Sequence, residues 1–306
     1  MTTGHRRVSL YGVSLCLPAD WEDWTDYLFE FKGTPLQSLL FGVGALPDEH
    51  IQPWLEYKRK LLLGLDGVAL ASAVERYAHP SARVYGFQTK FDEATSSSAY
   101  VDLIVLARAE NPLRITCRAQ AGYKPDLEAI ITSIEPKAPS GPLGPNRYRV
   151  HDASFASPFE VTTPQLFSFS TPDESKEGEC RLVARWKHLA GASTPSTSRL
   201  PAAGESTGPA AVDWRTEFNL FEPRNLQPEP VEERTHALAG LQVHEARHFT
   251  EVDDVIGDER EHHTLTLGRA KLTCAKRELT LEYHARSGRD RARHEWRCLV
   301  QSLQNE

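Results

Sequence analysis

The chain has little cysteine and no pairing pattern for what it has. Its 306 residues hold Cys16, Cys117, Cys180, Cys274 and Cys298, an odd number without C-x-x-C spacing. That argues against a disulfide framework or a zinc knuckle, and a reducing cytoplasm fits best. An excess of positive charge is also missing: 35 Lys plus Arg stand against 42 Asp plus Glu, a formal charge of -7 spread along the chain. Without a basic footprint, neither nucleic acid nor an anionic lipid surface is expected as a partner. No apolar run reaches membrane length, the most apolar being "LLLGL" at 61–65, so stable membrane insertion is not expected.

Catalytic patterns are equally scarce. "FGVGALPD" offers Gly42-x-Gly44 between a strand and a helix, but Pro47 stands where a dinucleotide loop needs its third glycine. Asp253, Asp254, Asp258, Glu259 and Glu261 fall in a polar hairpin tip, away from any apolar wall that would raise a pKa. No nucleophile elbow or triad order is present. One motif remains: His244, Glu245 and His248 form H-E-x-x-H, the pattern of a zinc-dependent hydrolase when it lies on a helix. Its neighbourhood reads as a strand, however, where four residues at about 3.3 Å each place the two histidines roughly 13 Å apart. A zinc hydrolase is therefore the remote alternative to a non-enzymatic protein without cofactor or metal. His236, His262, His263, His284 and His294 lack ligand spacing and are expected to face solvent.

What the chain does have is itself, twice. "VSLCLPADWEDWTDYLFEF" from Val13 corresponds to "ASFASPFEVTTPQLFSFS" from Ala153, each a short alternating strand, a proline (Pro18, Pro158), a turn and an aromatic strand. The same comparison makes residues 8–17 a strand: two arginines before an apolar run suggest a signal segment, but Leu15 before Cys16 spoils a lipobox. "SLLFGVGAL" lines up with "CRLVARWKHL" as a third strand. "PDEHIQPWLEYKRKLLLGL" places Ile51, Trp54, Leu55, Leu61 and Leu62 at helical spacing behind an Asp48 cap, and "VDWRTEFNLF", with Trp214, Phe218 and Phe221, is its shorter counterpart. Long β-rich hairpins follow in both copies. Each copy closes on a helix ending in Ser133-Ile134 or Ser302-Leu303.

This order predicts an α+β class: two tandem antiparallel-sheet domains with flanking helices, β-β-β-α-β-β-β-α each. The expected boundaries are 1–137 for the first domain and 148–306 for the second. Between them, 138–147 is a Pro-rich linker, with Pro136, Pro139, Pro142 and Pro145 recurring every third residue. The low-complexity stretch 191–211 is expected to be a disordered insertion in the second domain.

The strand ending "LP-x-D-W-x-D", the helix with "W-L-E-Y-K-R", the long hairpins and the terminal "I-x-x-S-I" or "V-x-x-S-L" resemble DcrB-like domains, which share the PsbP-like fold. The resemblance spans nearly the whole chain as two copies, through loose motifs. Copy two lacks the "D-W-x-D" turn. Cytoplasmic relatives of such domains include the Eag-type chaperones of type VI secretion. The resemblance thus implies a chaperone or adaptor that shields hydrophobic transmembrane segments of a secreted effector, segments at the effector's N-terminus, before loading. The fused pair would replace a homodimer. The alternative under the same resemblance is an adaptor or scaffold for a folded partner. On the chaperone reading the client groove comprises Phe29, Phe31, Ser38, Leu39, Phe41, Gly42 and Val43 in copy one, with Phe167, Phe169, Leu182, Ala184 and Trp186 in copy two. Each of these apolar positions also suits a strand residue that faces its own helices.

Overall fold

A computed structural model of the chain describes residues 4–44, 48–65, 67–91, 100–108, 111–139, 143–171, 179–189, 232–238, 241–256, 259–274, 277–286 and 289–306. The first copy supplies β1 (His5–Ser9), β2 (Val13–Pro18), β3 (Glu22–Asp23), β4 (Tyr27–Phe31), β5 (Leu36–Val43) and helix α1 (Ile51–Leu63). It continues through β6 (Val68–Ala71), β7 (Glu75–Tyr77), β8 (Val84–Phe91), β9 (Tyr100–Leu106), β10 (Leu113–Ala119) and α2 (Lys124–Thr132). The second copy supplies β11 (Arg147–Val150), β12 (Ala153–Ala156), β13 (Val161–Thr162), β14 (Leu166–Ser170) and β15 (Cys180–His188). It ends with β16 (Glu232–Leu238), β17 (Leu241–Ile256), β18 (Glu259–Cys274), β19 (Arg277–Ala285), α3 (Arg289–Gln301) and β20 (Gln304–Asn305). The expected insertion 191–211 and the expected helix at 212–221 lie outside the described residues. The α+β class holds, with extra strands such as β3, β7 and β13 that are too short for alternation to reveal.

The duplication is visible in the strand order. One sheet contains β4-β5-β10-β9-β8-β6 and the other β14-β15-β19-β18-β17-β16. In the first, β7 also pairs with β8, and the short β13 extends the edge on β4.

Compact units do not follow the sequence boundaries. One unit is 23–168, and the other joins 1–22 to 169–306. The β11–β12 hairpin of copy two therefore belongs to the unit built on the copy-one sheet. The β1–β2 hairpin of copy one belongs to the unit built on the copy-two sheet. Matching contacts hold the two hairpins. In 23–168, Ser133 Oγ accepts from the Ala156 N–H at 3.0 Å, and Glu135 bridges to Ser154. In the other unit, Ser302 Oγ accepts from the Cys16 N–H at 2.8 Å, and β2 pairs with β20. Cys16 and Ala156 are equivalent positions of the repeat, so the two Ser-Ile and Ser-Leu endings do the same work.

The first residues of the expected linker are not a free spacer. The Ala138 N–H donates to the Asp152 carbonyl at 2.6 Å and Arg149 Nη2 to the Pro139 carbonyl at 2.9 Å, so this segment runs along the hairpin of its unit.

In unit 23–168 the sheet is covered on both faces. Helix α1 buries Ile51 and Leu55 against Phe87 and Val105, with Trp54, Leu62 and Leu103 around them. Leu61 departs from the expected apolar face and is exposed. The expected Asp48 cap is also displaced: Asp48 sits in a 3-10 turn, and His50 is the capping position, without a side-chain bond. On the other face of β9, in phase with Ile104 and Leu106, Asp102 is met by residues at the start of α2. The equivalent α3 packs on β18, where Gly268 lies beneath the Trp296 ring; a Cβ there would stand 2.6 Å from the indole.

Candidate functional site

The expected client groove is largely core. Phe29, Phe31, Leu39, Phe41, Gly42, Phe167, Phe169, Leu182, Ala184 and Trp186 are buried, while Ser38 and Val43 are half-buried. What covers two of them in unit 23–168 is the exchanged hairpin. Phe155 of β12 lies 4.9 Å from Phe29 and 5.0 Å from Phe41, and Tyr148 of β11 lies 5.7 Å from Phe29. In the other unit Trp186 is covered by the turn of β1–β2: its Nε1 donates to the Leu10 carbonyl at 2.5 Å. Arg277 stacks on the same indole at 4.3 Å and donates to the Tyr11 carbonyl at 2.8 Å. Alternation therefore located an apolar face correctly, but the chain fills that face with its own repeat.

Gly42 has a local reason for its size. A Cβ there would meet Asp26 Oδ1 at 2.6 Å and Arg114 Nη2 at 3.1 Å, atoms of an ion pair 3.9 Å apart. Gly44 has open space around it.

The H-E-x-x-H residues lie on β17, where His244 is paired with Thr235 on one side and Lys271 on the other, and His248 with Leu267. That is strand geometry, in which the two positions are about 13 Å apart. His244 is exposed and contacts the Thr235 hydroxyl at 3.0 Å. His294 is exposed as expected, whereas His284 is half-buried on β19. Burial first, then the charges of Arg181 and Arg269, hold the His284 imidazole down to about 4.

Two polar clusters lie inside the units, and sequence reading missed both. Asp102 is fully buried, 2.7 Å from Lys124 Nζ, and accepts from Tyr77 OH at 3.0 Å and from Tyr123 OH. Burial and the neighbouring carboxylate push both phenols up, so they remain protonated donors. Burial and Asp102 likewise push the Cys117 thiol up. In the other unit Tyr283 OH donates to Glu295 Oε2 at 2.8 Å, and Cys180 Sγ lies 3.3 Å from the same oxygen. Burial and Glu295 push the Cys180 thiol up to about 12. A thiol held that high is a poor nucleophile. Both clusters tie a helix to a sheet. The signal for Asp102 was available: a carboxylate in phase with Ile104 and Leu106 in "YVDLIVL" must be buried with partners.

A depression of about 580 Å3 lies at one end of unit 23–168, lined by Arg76, His79, Ser81, Arg83, Ala107 and Arg108 among others. Arg108 Nη1 pairs with Asp152, and its Nε donates to the Asn111 carbonyl at 2.7 Å. His79 pins the turn: its Nδ1 accepts from the Ala82 N–H at 2.9 Å and the Ser81 N–H at 3.2 Å. That leaves the proton on Nε2, 2.9 Å from the Ile134 carbonyl oxygen.

No protein-family model matches the chain, and no characterised protein matches it in sequence. Among solved structures, its fold is similar to the apo structure of the immunity protein TplEi of the type VI secretion system (T6SS) from Pseudomonas aeruginosa. The likeness has a TM-score of 0.50 at 9% identity and covers 99% of this chain and 97% of that one. It is a likeness of fold. No helix among the described residues is long and apolar enough to cross a membrane.

Proposed function

We propose that this chain is a non-enzymatic binding protein for a type VI secretion effector, which it engages as a folded partner. The observation that bears most on this reading is the likeness of fold, over nearly the full length of both chains, to an immunity protein of that system. Fold alone does not fix function, so the internal packing has to choose between modes of binding. It favours a folded partner over a bare apolar helix, because Phe29 and Phe41 are already covered by Tyr148 and Phe155. A client helix could reach them only by displacing a hairpin of the protein's own core. The elevated phenols and thiols of the buried clusters suit packing roles and not acid-base or nucleophilic work. We place the protein in the cytoplasm, where free thiols such as Cys117 and Cys298 persist.

The DcrB-like, chaperone form of this role has one observation in its favour. Trp24, Leu28 and Leu166, at 58, 45 and 41% exposure, leave apolar side chains open in unit 23–168. These residues, and not the expected groove, would contact a hydrophobic segment.

Co-expression with the effector encoded beside this gene, followed by gel filtration, tests both modes. A complex that persists when a peptide of the effector's hydrophobic segment is added in excess supports a folded partner. Displacement by the peptide supports the chaperone form, and absence of any complex overturns the proposal.

A further inference from the structure

We infer that the arginine-lined depression at the end of unit 23–168 is the docking point for an acidic segment of the partner protein, an inference that rests on the binding role above and supplies its chemistry. Three guanidinium groups, from Arg76, Arg83 and Arg108, line the depression, and no Asp or Glu does so among the described residues. Elsewhere acidic residues outnumber basic ones, 42 to 35 over the whole chain. With Arg108 paired to Asp152, the exposed Arg76 and Arg83 give this spot a local basic character that an acidic partner can approach on a protein that otherwise repels it.

The site is held in shape before any partner arrives. His79, whose Nδ1 accepts two N–H groups, locks the turn that leads to Arg83. Arg108 is held by the Asn111 carbonyl and by Asp152, with only 7% of its side chain exposed. Arg108 thus serves as the fixed wall of the depression, its charge met by Asp152, and the exposed guanidinium groups are those of Arg76 and Arg83. Arg76 and Arg83 are exposed, and Arg76 has no acidic partner among the described residues. The two exposed arginines come from β7 and from the residue before β8, so their positive charges flank the mouth. A spread of fork-shaped donors in an open depression matches several carboxylates of one segment better than a single small anion.

The test uses the full chain, the effector encoded beside it, a labelled ten-residue oligoglutamate peptide and inorganic phosphate at matched ionic strength. The double substitution Arg76→Glu with Arg83→Glu is expected to weaken binding of both effector and peptide by about tenfold or more. Arg76→Lys with Arg83→Lys should give a smaller loss, because charge is kept while the fork is lost. Arg185→Glu, at an exposed position of β15, should change neither, and circular dichroism should show all variants folded. Effector and peptide bound as tightly by the folded Glu variant as by the parent overturn the inference and leave the binding role standing. Displacement of the peptide by phosphate at micromolar concentration also overturns it in favour of a small-anion site. Failure of the parent to retain the effector, with the peptide still bound and lost on substitution, overturns the binding role and leaves an acidic-segment site in place.

Discussion

The indole Nε1 of Trp186 donates to the main-chain oxygen of Leu10 at 2.5 Å, joining residues 176 positions apart. Both groups are buried, and Arg277 lies over the same ring at 4.3 Å. One side chain of the copy-two sheet thereby holds the turn of the copy-one hairpin. Trp186→Phe keeps most of the ring and removes the donor, leaving the Leu10 carbonyl buried without it. A loss of about 1–3 kcal/mol is expected in chemical denaturation. Trp186→Ala should cost about 3–5 kcal/mol. Equal stability of parent and Phe variant would show that the bond contributes nothing net.

Because each hairpin belongs to the unit of the opposite copy, cutting the chain between 139 and 143 should not release two domains. After cleavage at an engineered protease site in 140–142, the two pieces are expected to co-elute in gel filtration and to melt together. Expressed separately, residues 1–139 and 143–306 should each lack a cooperative transition, and mixing them should restore one. Two independently folded fragments would contradict the exchange.

Gly268 leaves no room for a side chain beneath Trp296, whose ring atoms lie 2.6 to 2.9 Å from the place a Cβ would occupy. Gly268→Ala must push α3 away from β18 or twist the indole, at a cost of about 1–3 kcal/mol. Gly44→Ala, with nothing within 4 Å, serves as the comparison and should melt within about 0.5 kcal/mol of the parent.

His284 predicts a pH dependence with a definite sign. Its imidazole is held at about 4 in the folded protein against 6.5 for the free side chain. Between those values the unfolded chain binds a proton that the folded chain does not, so stability falls as pH drops from 6.5 towards 4. The contribution is at most about 3–4 kcal/mol. Thermal melts of His284→Gln across this range should show a shallower slope than the parent; identical slopes would remove His284 as the cause.

Asp102 and Lys124 form an ion pair with the carboxylate fully buried. Lys124→Met strands that charge with only phenol donors and should cost about 3–5 kcal/mol, less whatever water recovers at the half-open lysine position. Adding Asp102→Asn to Lys124→Met should recover part of the loss, because no charge is then left buried. A double variant less stable than Lys124→Met would argue against charge burial as the origin.

Much of this protein is legible in its residues. The duplication, the α+β class, the strand under His244 and His248 and the terminal serines at 133 and 302 all follow from local pattern, since period and proline placement are properties of a short stretch of backbone. The apolar phase of β4, β5 and β15 is equally local, and Phe29, Phe41 and Trp186 do point into apolar surroundings. Pattern cannot say what covers such a face. An alternating strand records that one side avoids water, and a client helix, a flanking helix or a distant hairpin satisfies that demand equally. Here the two copies are alike at the positions that matter: Cys16 matches Ala156, and Ser302 matches Ser133. Either hairpin thus carries nearly the same instructions for docking. The choice between them rests on how the segment 134–139 runs along its hairpin and on single long-range contacts such as Trp186 to Leu10, which exist only once the sheets are assembled. The arginines of the depression are scattered over more than 30 positions of sequence for the same reason: strand ends far apart in the chain become neighbours only when β7, β8 and β9 pair.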